Sequence, residues 1–147
     1  NDLTNKKCIP CEGGTVPLDI SEIHKYQKKV DGWDVIKNEK NIYFLEKKFT
    51  FKNFLESQNF INEVSKISEE EGHHPDIKFG WGYAEISITT HAIEGLSEND
   101  FILAAKIDKR INAEGLVFEK IKIVLVVLAK LIISLSLIDP AGCITAE

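Results

Sequence analysis

The sequence predicts an α+β protein, with a four-stranded antiparallel sheet, helices on one face in the order α-β-β-α-β-β-α, and an extra apolar C-terminal segment. Three observations carry that expectation. Two pairs of apolar runs are each joined by a short polar or glycine-rich link, as antiparallel hairpins require. One long run, Phe51 to Glu71, repeats its apolar residues at helical spacing. Two segments open on a capping box followed by a hydrophobic staple.

Residues 1–17 read as an irregular arm, because Cys8-Ile9-Pro10-Cys11, Gly13-Gly14 and Pro17 are turn and breaker chemistry. The first helix opens at Asp19, with Glu22 as its capping-box partner and Leu18 and Ile23 as its staple, and Gly32 is placed to end it. Strands follow at Trp33–Lys37 and Ile42–Lys48, joined by Asn38-Glu39-Lys40-Asn41. In the long helix Phe51, Phe54, Leu55, Ile61, Val64 and Ile67 form the apolar stripe, and Gly72 is the natural C-terminal cap. A second hairpin pairs Asp76–Gly80 with Tyr83–Thr90 across a Gly80-Trp81-Gly82 turn. Ala84, Ile86 and Ile88 alternate with Glu85, Ser87 and Thr89, the pattern of a half-buried strand. Ser97 opens the last helix of the domain, with Asp100 as its box partner and Leu96 and Phe101 as its staple, and that helix runs to about Arg110. The expected organisation is an arm over 1–17, a domain over 18–112 and an apolar extension over 113–147.

A chain of 147 residues, 44% hydrophobic and 28% charged, has the balance of one globular domain. The net charge of -5 argues against a nucleic-acid interface, which needs a basic face. Three cysteines make no disulfide framework, so a reducing compartment is expected. The opening NDLTNKK has no apolar signal core, and the chain holds no methionine, as a processed product would. The expected location is the cytoplasm, or an organelle if a targeting peptide has been removed. Residues 116–138 are strongly apolar but interrupted by Glu119, Lys120, Lys122 and Lys130. A packing or oligomer helix, a membrane-associated tail and an extension without a role all fit. A lysine in mid-segment makes a membrane span costly, and the β-branched residues leave a strand open.

The segment that draws chemistry is Glu69-Glu70-Glu71-Gly72-His73-His74-Pro75-Asp76. Three carboxylates end a helix where its dipole is already negative, a local rule broken beside two histidines. Glu70 and Glu71 read as a solvated acidic helix end. Pro75 holds His74 extended, so neighbouring imidazoles point apart unless the turn bends them. His91 follows the strand that pairs with Asp76–Gly80, and hairpin pairing then carries it toward His73 and His74. Imidazoles titrate near neutral pH and so both give and take protons there. Zinc on three histidines is the competing reading, but no H-E-x-x-H spacing supports it. Cys8 and Cys11 lack a second ligand pair or a βαβ unit and read as inert, His24 reads as exposed, and no P-loop or dinucleotide fingerprint occurs.

Glu69-x-x-x-His73-His74-Pro75, then Thr90-His91, then Gly95-Leu96-Ser97-x-x-Asp100 resembles the pterin-4a-carbinolamine dehydratase family. The likeness runs from Trp33, through Phe49-Thr50-Phe51, to about Asp108, and the arm's Cys-x-x-Cys-x-Gly-Gly resembles some bacterial and plant-type members. The resemblance implies an α+β fold, homodimers or homotetramers, and dehydration of a 4a-hydroxytetrahydropterin to quinonoid dihydropterin without metal or organic cofactor. It implies His73 and His91 as the acid/base pair, with His74 orienting the pterin and sharing in proton transfer. By position it implies Glu69, Pro75, Thr90 and Asp100 as pocket residues, with Trp33 lining the pocket. It also implies a rival class, a non-catalytic pterin-binding or protein-interaction module serving as a transcriptional dimerisation cofactor or assembly factor. The extension after about Ala113 has no counterpart in the family pattern.

Overall fold

The computed structural model describes residues 2–9, 16–111, 126 and 128–130. The chain divides into two compact units, Asn1–Ile111 and Asn112–Glu147. In the second unit the described residues are helical, and the remaining residues of the predicted extension, with Cys11 and Cys143, lie outside the described residues. No helix among the described residues is long and apolar enough to cross a membrane.

The first unit follows the predicted order. A short 3-10 turn, Asp2–Asn5, comes first, and its Leu3 is buried, so the arm is anchored on the domain. Helix α1 spans Ile20–Gln27 and starts with the predicted Asp19–Glu22 capping box, both bonds being made. It stops at Lys28 rather than at Gly32, which turns the chain into the first strand. Strands β1 (Asp34–Lys37) and β2 (Tyr43–Thr50) form a hairpin. Its loop is tied by Asn38, whose side-chain oxygen accepts from the N–H groups of Lys40 and Ile42 at 2.9 and 3.0 Å.

Helix α2 spans Phe54–Glu71. It begins three residues later than the apolar spacing indicates, because Asn53 caps it by accepting from the Glu56 N–H at 2.9 Å. Phe51 instead packs in the preceding loop against Phe60, ring centroids 5.1 Å apart. Strands β3 (Asp76–Gly80) and β4 (Tyr83–Ile88) make the second hairpin, and helix α3 covers 98–111.

The four strands are antiparallel in the order β1-β2-β4-β3, so α2 links two hairpins whose inner strands pair with each other. Ala84, Ile86 and Ile88 of β4 are buried with Leu45 of β2, Val64 and Ile67 of α2, and Phe101, Leu103 and Ile107 of α3. On the half-exposed positions, Glu85 bridges Lys48 of β2 and Lys78 of β3, each at 3.2 Å, in accordance with the strand register. The two tryptophans have opposite surroundings. Trp33 is buried, its indole N–H donating to Asp108 at 3.0 Å, whereas Trp81 stands exposed on the β3–β4 turn.

Candidate active site

The end of α2 fixes the first two histidines. Gly72 takes the left-handed conformation, φ +63°, and its N–H bonds to the Glu69 carbonyl at 3.3 Å, while the His73 N–H bonds to the Ser68 carbonyl at 3.1 Å. This pair of bonds is a Schellman motif, which closes the helix and sends the chain back across its own last turn. His73 and His74 then diverge, as adjacent extended residues do. His73 turns inward with its side chain 12% exposed, and its Nε2 lies 2.8 Å from Asp100 Oδ1. His74 turns outward, 61% exposed, and its Nε2 lies 3.0 Å from Glu69 Oε1.

The third histidine comes from the far end of the second hairpin. Strand β4 ends at Ile88, two residues short of the predicted Thr90, which instead makes an isolated bridge to Gly95. Between them His91–Ile93 form a short 3-10 turn. Gly95 is required there, because a Cβ on it would sit 2.7 Å from Pro17 Cβ. The adjacent Leu18 N–H to Leu96 carbonyl bond, 2.8 Å, ties this loop to the start of α1. His91 is 71% exposed, with its Nε2 3.7 Å from Asp76 Oδ2.

His73, His74 and His91 line one cleft of about 750 Å³, together with Glu69, Glu70, Glu71, Thr89 and Thr90. Asp100 stands behind that wall, fully buried. Its Oδ2 accepts from the Thr90 hydroxyl at 2.8 Å and from the Ser97 N–H at 2.6 Å, the latter being the capping bond read from the sequence. One carboxylate thus starts α3, holds Thr90 and orients His73. These donors replace the water that the side chain gave up on burial.

Three residues expected at the pocket do not line the cleft: Asp100, which stands behind its wall, Trp33 and Pro75. Trp33 is not among the residues lining the cleft. Its indole is engaged by Asp108, and Lys47 pairs with the same carboxylate at 2.7 Å. Pro75 is half-buried and does not line the cleft, and it acts on the site through the backbone of His74.

The acidic helix end is not a uniformly solvated run. Each of its three carboxylates meets a positively charged or ionisable partner: Glu69 meets His74, Glu70 meets Arg110 at 3.9 Å, and Glu71 meets Lys106 at 2.5 Å. These partners offset the unfavourable dipole at this terminus. The Glu71 side chain is only 8% exposed. Burial pushes its carboxyl up, but Lys106 and the Cys8 N–H outweigh burial and hold it below the usual carboxylate value.

Sequence reasoning missed one whole wall of the cleft, formed by Lys7, Cys8 and Ile9 of the arm, with Asn99 of α3 beside them. The Cys8 N–H donates to Glu71 Oε2 at 3.0 Å. Asn99 pairs with the Ile9 backbone on both edges, accepting from its N–H at 3.2 Å and donating to its carbonyl at 2.7 Å. The Cys8 thiol is pushed up to about 12, chiefly by burial and then by the Glu71 charge, so it is protonated at neutral pH. Leu3 is the one sequence signal for this docking, an apolar residue ahead of the breakers. No three of the described His, Cys, Asp and Glu side chains converge as a metal site.

A family model described as pterin 4 alpha carbinolamine dehydratase matches residues 16–110. A Rubrobacter xylanophilus protein carrying the name of that dehydratase is 44% identical over 109 residues, covering 74% of this chain and 98% of that one. A Halorhodospira halophila protein with the same name is 47% identical over 106 residues, covering 72% of this chain and 94% of that one. Among solved structures, a transcriptional coactivator/pterin dehydratase from Brucella melitensis matches with a TM-score of 0.57 at 25% identity, covering 63% of this chain and 96% of that one.

Proposed function

This chain belongs to the pterin 4 alpha carbinolamine dehydratase family, and from that premise we propose that it is a hydro-lyase that removes water from a 4a-hydroxytetrahydropterin, giving quinonoid dihydropterin by histidine acid/base catalysis. The observation that carries the reading is the meeting of His73, His74 and His91 around one cleft of about 750 Å³, a size that suits a bicyclic heterocycle.

The reaction requires one proton to leave N5 and one to reach the hydroxyl on C4a, with a C4a–N5 double bond forming as water departs. His73 takes the N5 proton. Its Nε2 is turned to Asp100, so the base is Nδ1, and the buried carboxylate steadies the imidazolium that forms. His91, exposed in the same cleft, delivers a proton to the departing hydroxyl. His74, tied to Glu69, packs against and orients the pterin, and Thr90 fixes the wall beside it. No metal or organic cofactor enters the scheme.

The Brucella melitensis protein is named as a transcriptional coactivator as well as a pterin dehydratase. Retention of all three histidines in one cleft favours turnover over a purely interacting module. The test is a dehydration assay with freshly generated 4a-hydroxytetrahydropterin. His73→Ala and His91→Ala each lower turnover by about 10² or more. Near-normal turnover in both variants defeats the acid/base assignment.

A further inference from the structure

The cleft has a wall that the proton chemistry does not use. The family match begins at residue 16, yet Lys7, Cys8 and Ile9 line the same cleft as the three histidines. This segment is held by three separate fastenings. Glu71 receives the Cys8 N–H on one oxygen and Lys106 on the other. Asn99 grips both backbone atoms of Ile9, as a neighbouring strand would. Leu3, fully buried, anchors the arm's start.

We infer that the docked arm 2–9 is a substrate-binding wall of the pterin cleft, and that Asn99 and Glu71 are positioning residues that set affinity for the pterin by holding it there. The inference rests on the function proposed above. Its physical logic is a separation of parts. The histidines have fastenings of their own: His73 to Asp100 and His74 to Glu69. Releasing the arm therefore leaves the proton-handling groups in place and removes one side of the cavity. A planar ring held on fewer sides, with water admitted to one of them, binds less tightly, while the barrier for the bound substrate changes little.

Asn99 is the more selective handle, because its amide serves the arm and alanine is well tolerated within helix α3. Losing its two bonds corresponds to a change of about fivefold or more in the docking equilibrium. The experiment uses the full chain and compares wild type, Asn99→Ala and Glu71→Gln. It measures kcat and KM for 4a-hydroxytetrahydropterin, binding of an oxidised pterin by fluorescence, and alkylation of the Cys8 thiol resolved by peptide mass. In Asn99→Ala, KM and the pterin Kd rise about fivefold or more, kcat stays within about twofold, and Cys8 is alkylated faster. Glu71→Gln keeps an oxygen for the Cys8 N–H and loses the charge facing Lys106, so it shifts KM in the same direction but less. Faster Cys8 alkylation with unchanged KM and Kd overturns the inference, as does a fall in kcat at constant KM. An inactive wild type that still binds the oxidised pterin more tightly than Asn99→Ala overturns the dehydratase reading and leaves the wall assignment standing.

Discussion

At the scale of single residues, Asp100 concentrates the most constraints. It is fully buried, takes bonds from Thr90 and the Ser97 backbone, and faces His73. In sequence its capping role was legible, because Ser-x-x-Asp ahead of an apolar run has a known geometry. A second role in orienting a histidine was open beside the cap, but spacing does not report which histidine lies across the fold, and the structure places His73 there. The Thr90 hydroxyl also touches Ser97 Oγ at 2.9 Å, so it belongs to a closed network. Thr90→Val removes that hydroxyl while preserving shape. We expect a stability loss of about 1–2 kcal/mol, read from the urea midpoint at unchanged slope, because Asp100 keeps other donors.

At the scale of elements, the α2–β3 junction sets the site. Its left-handed Gly72 has no atom within 4 Å of a prospective Cβ, so a side chain there meets no clash. The cost of Gly72→Ala is then the backbone conformation alone, about 1–2 kcal/mol. Thermal unfolding should show that loss, with a fall in turnover because His73 and His74 follow directly. The helix end was readable because glycine after an acidic helical run is a strong stop signal. The helix start was misread by three residues, since Phe51 sits at helical spacing from Phe54 yet serves the loop, and only Asn53 reveals the true cap. The strands shifted by a residue or two for a similar reason: alternation marks a strand's centre better than its ends. The convergence of His91 with His73 followed from hairpin pairing, a rule that works because antiparallel register is local.

At the scale of the whole molecule, the domain is closed by a segment that looked structureless. The arm carries breakers and few apolar residues, so its docking depends on partners from α2 and α3 that are distant in sequence. Such pairing leaves no periodic trace in the chain. The docking is also sensitive to acid. Glu71 titrates below the usual carboxylate value of 4.5, so its contribution is complete above that value and is lost as pH falls through the lower folded value. Hydrogen exchange at the Cys8 amide should therefore accelerate on acidification relative to core amides. Glu71→Gln should remove that excess acceleration, and an identical pH response in both proteins would count against the role of the carboxylate. The placement of the two indoles has its own consequence. One is enclosed beside Asp108 and Lys47, and the other projects into solvent from a hairpin tip. Their fluorescence separates by accessibility: a dissolved quencher reaches the tip chromophore first, and emission that survives it reports the integrity of the interior. The molecule thus carries its own optical gauge of folding, distinct from anything that happens at its surface.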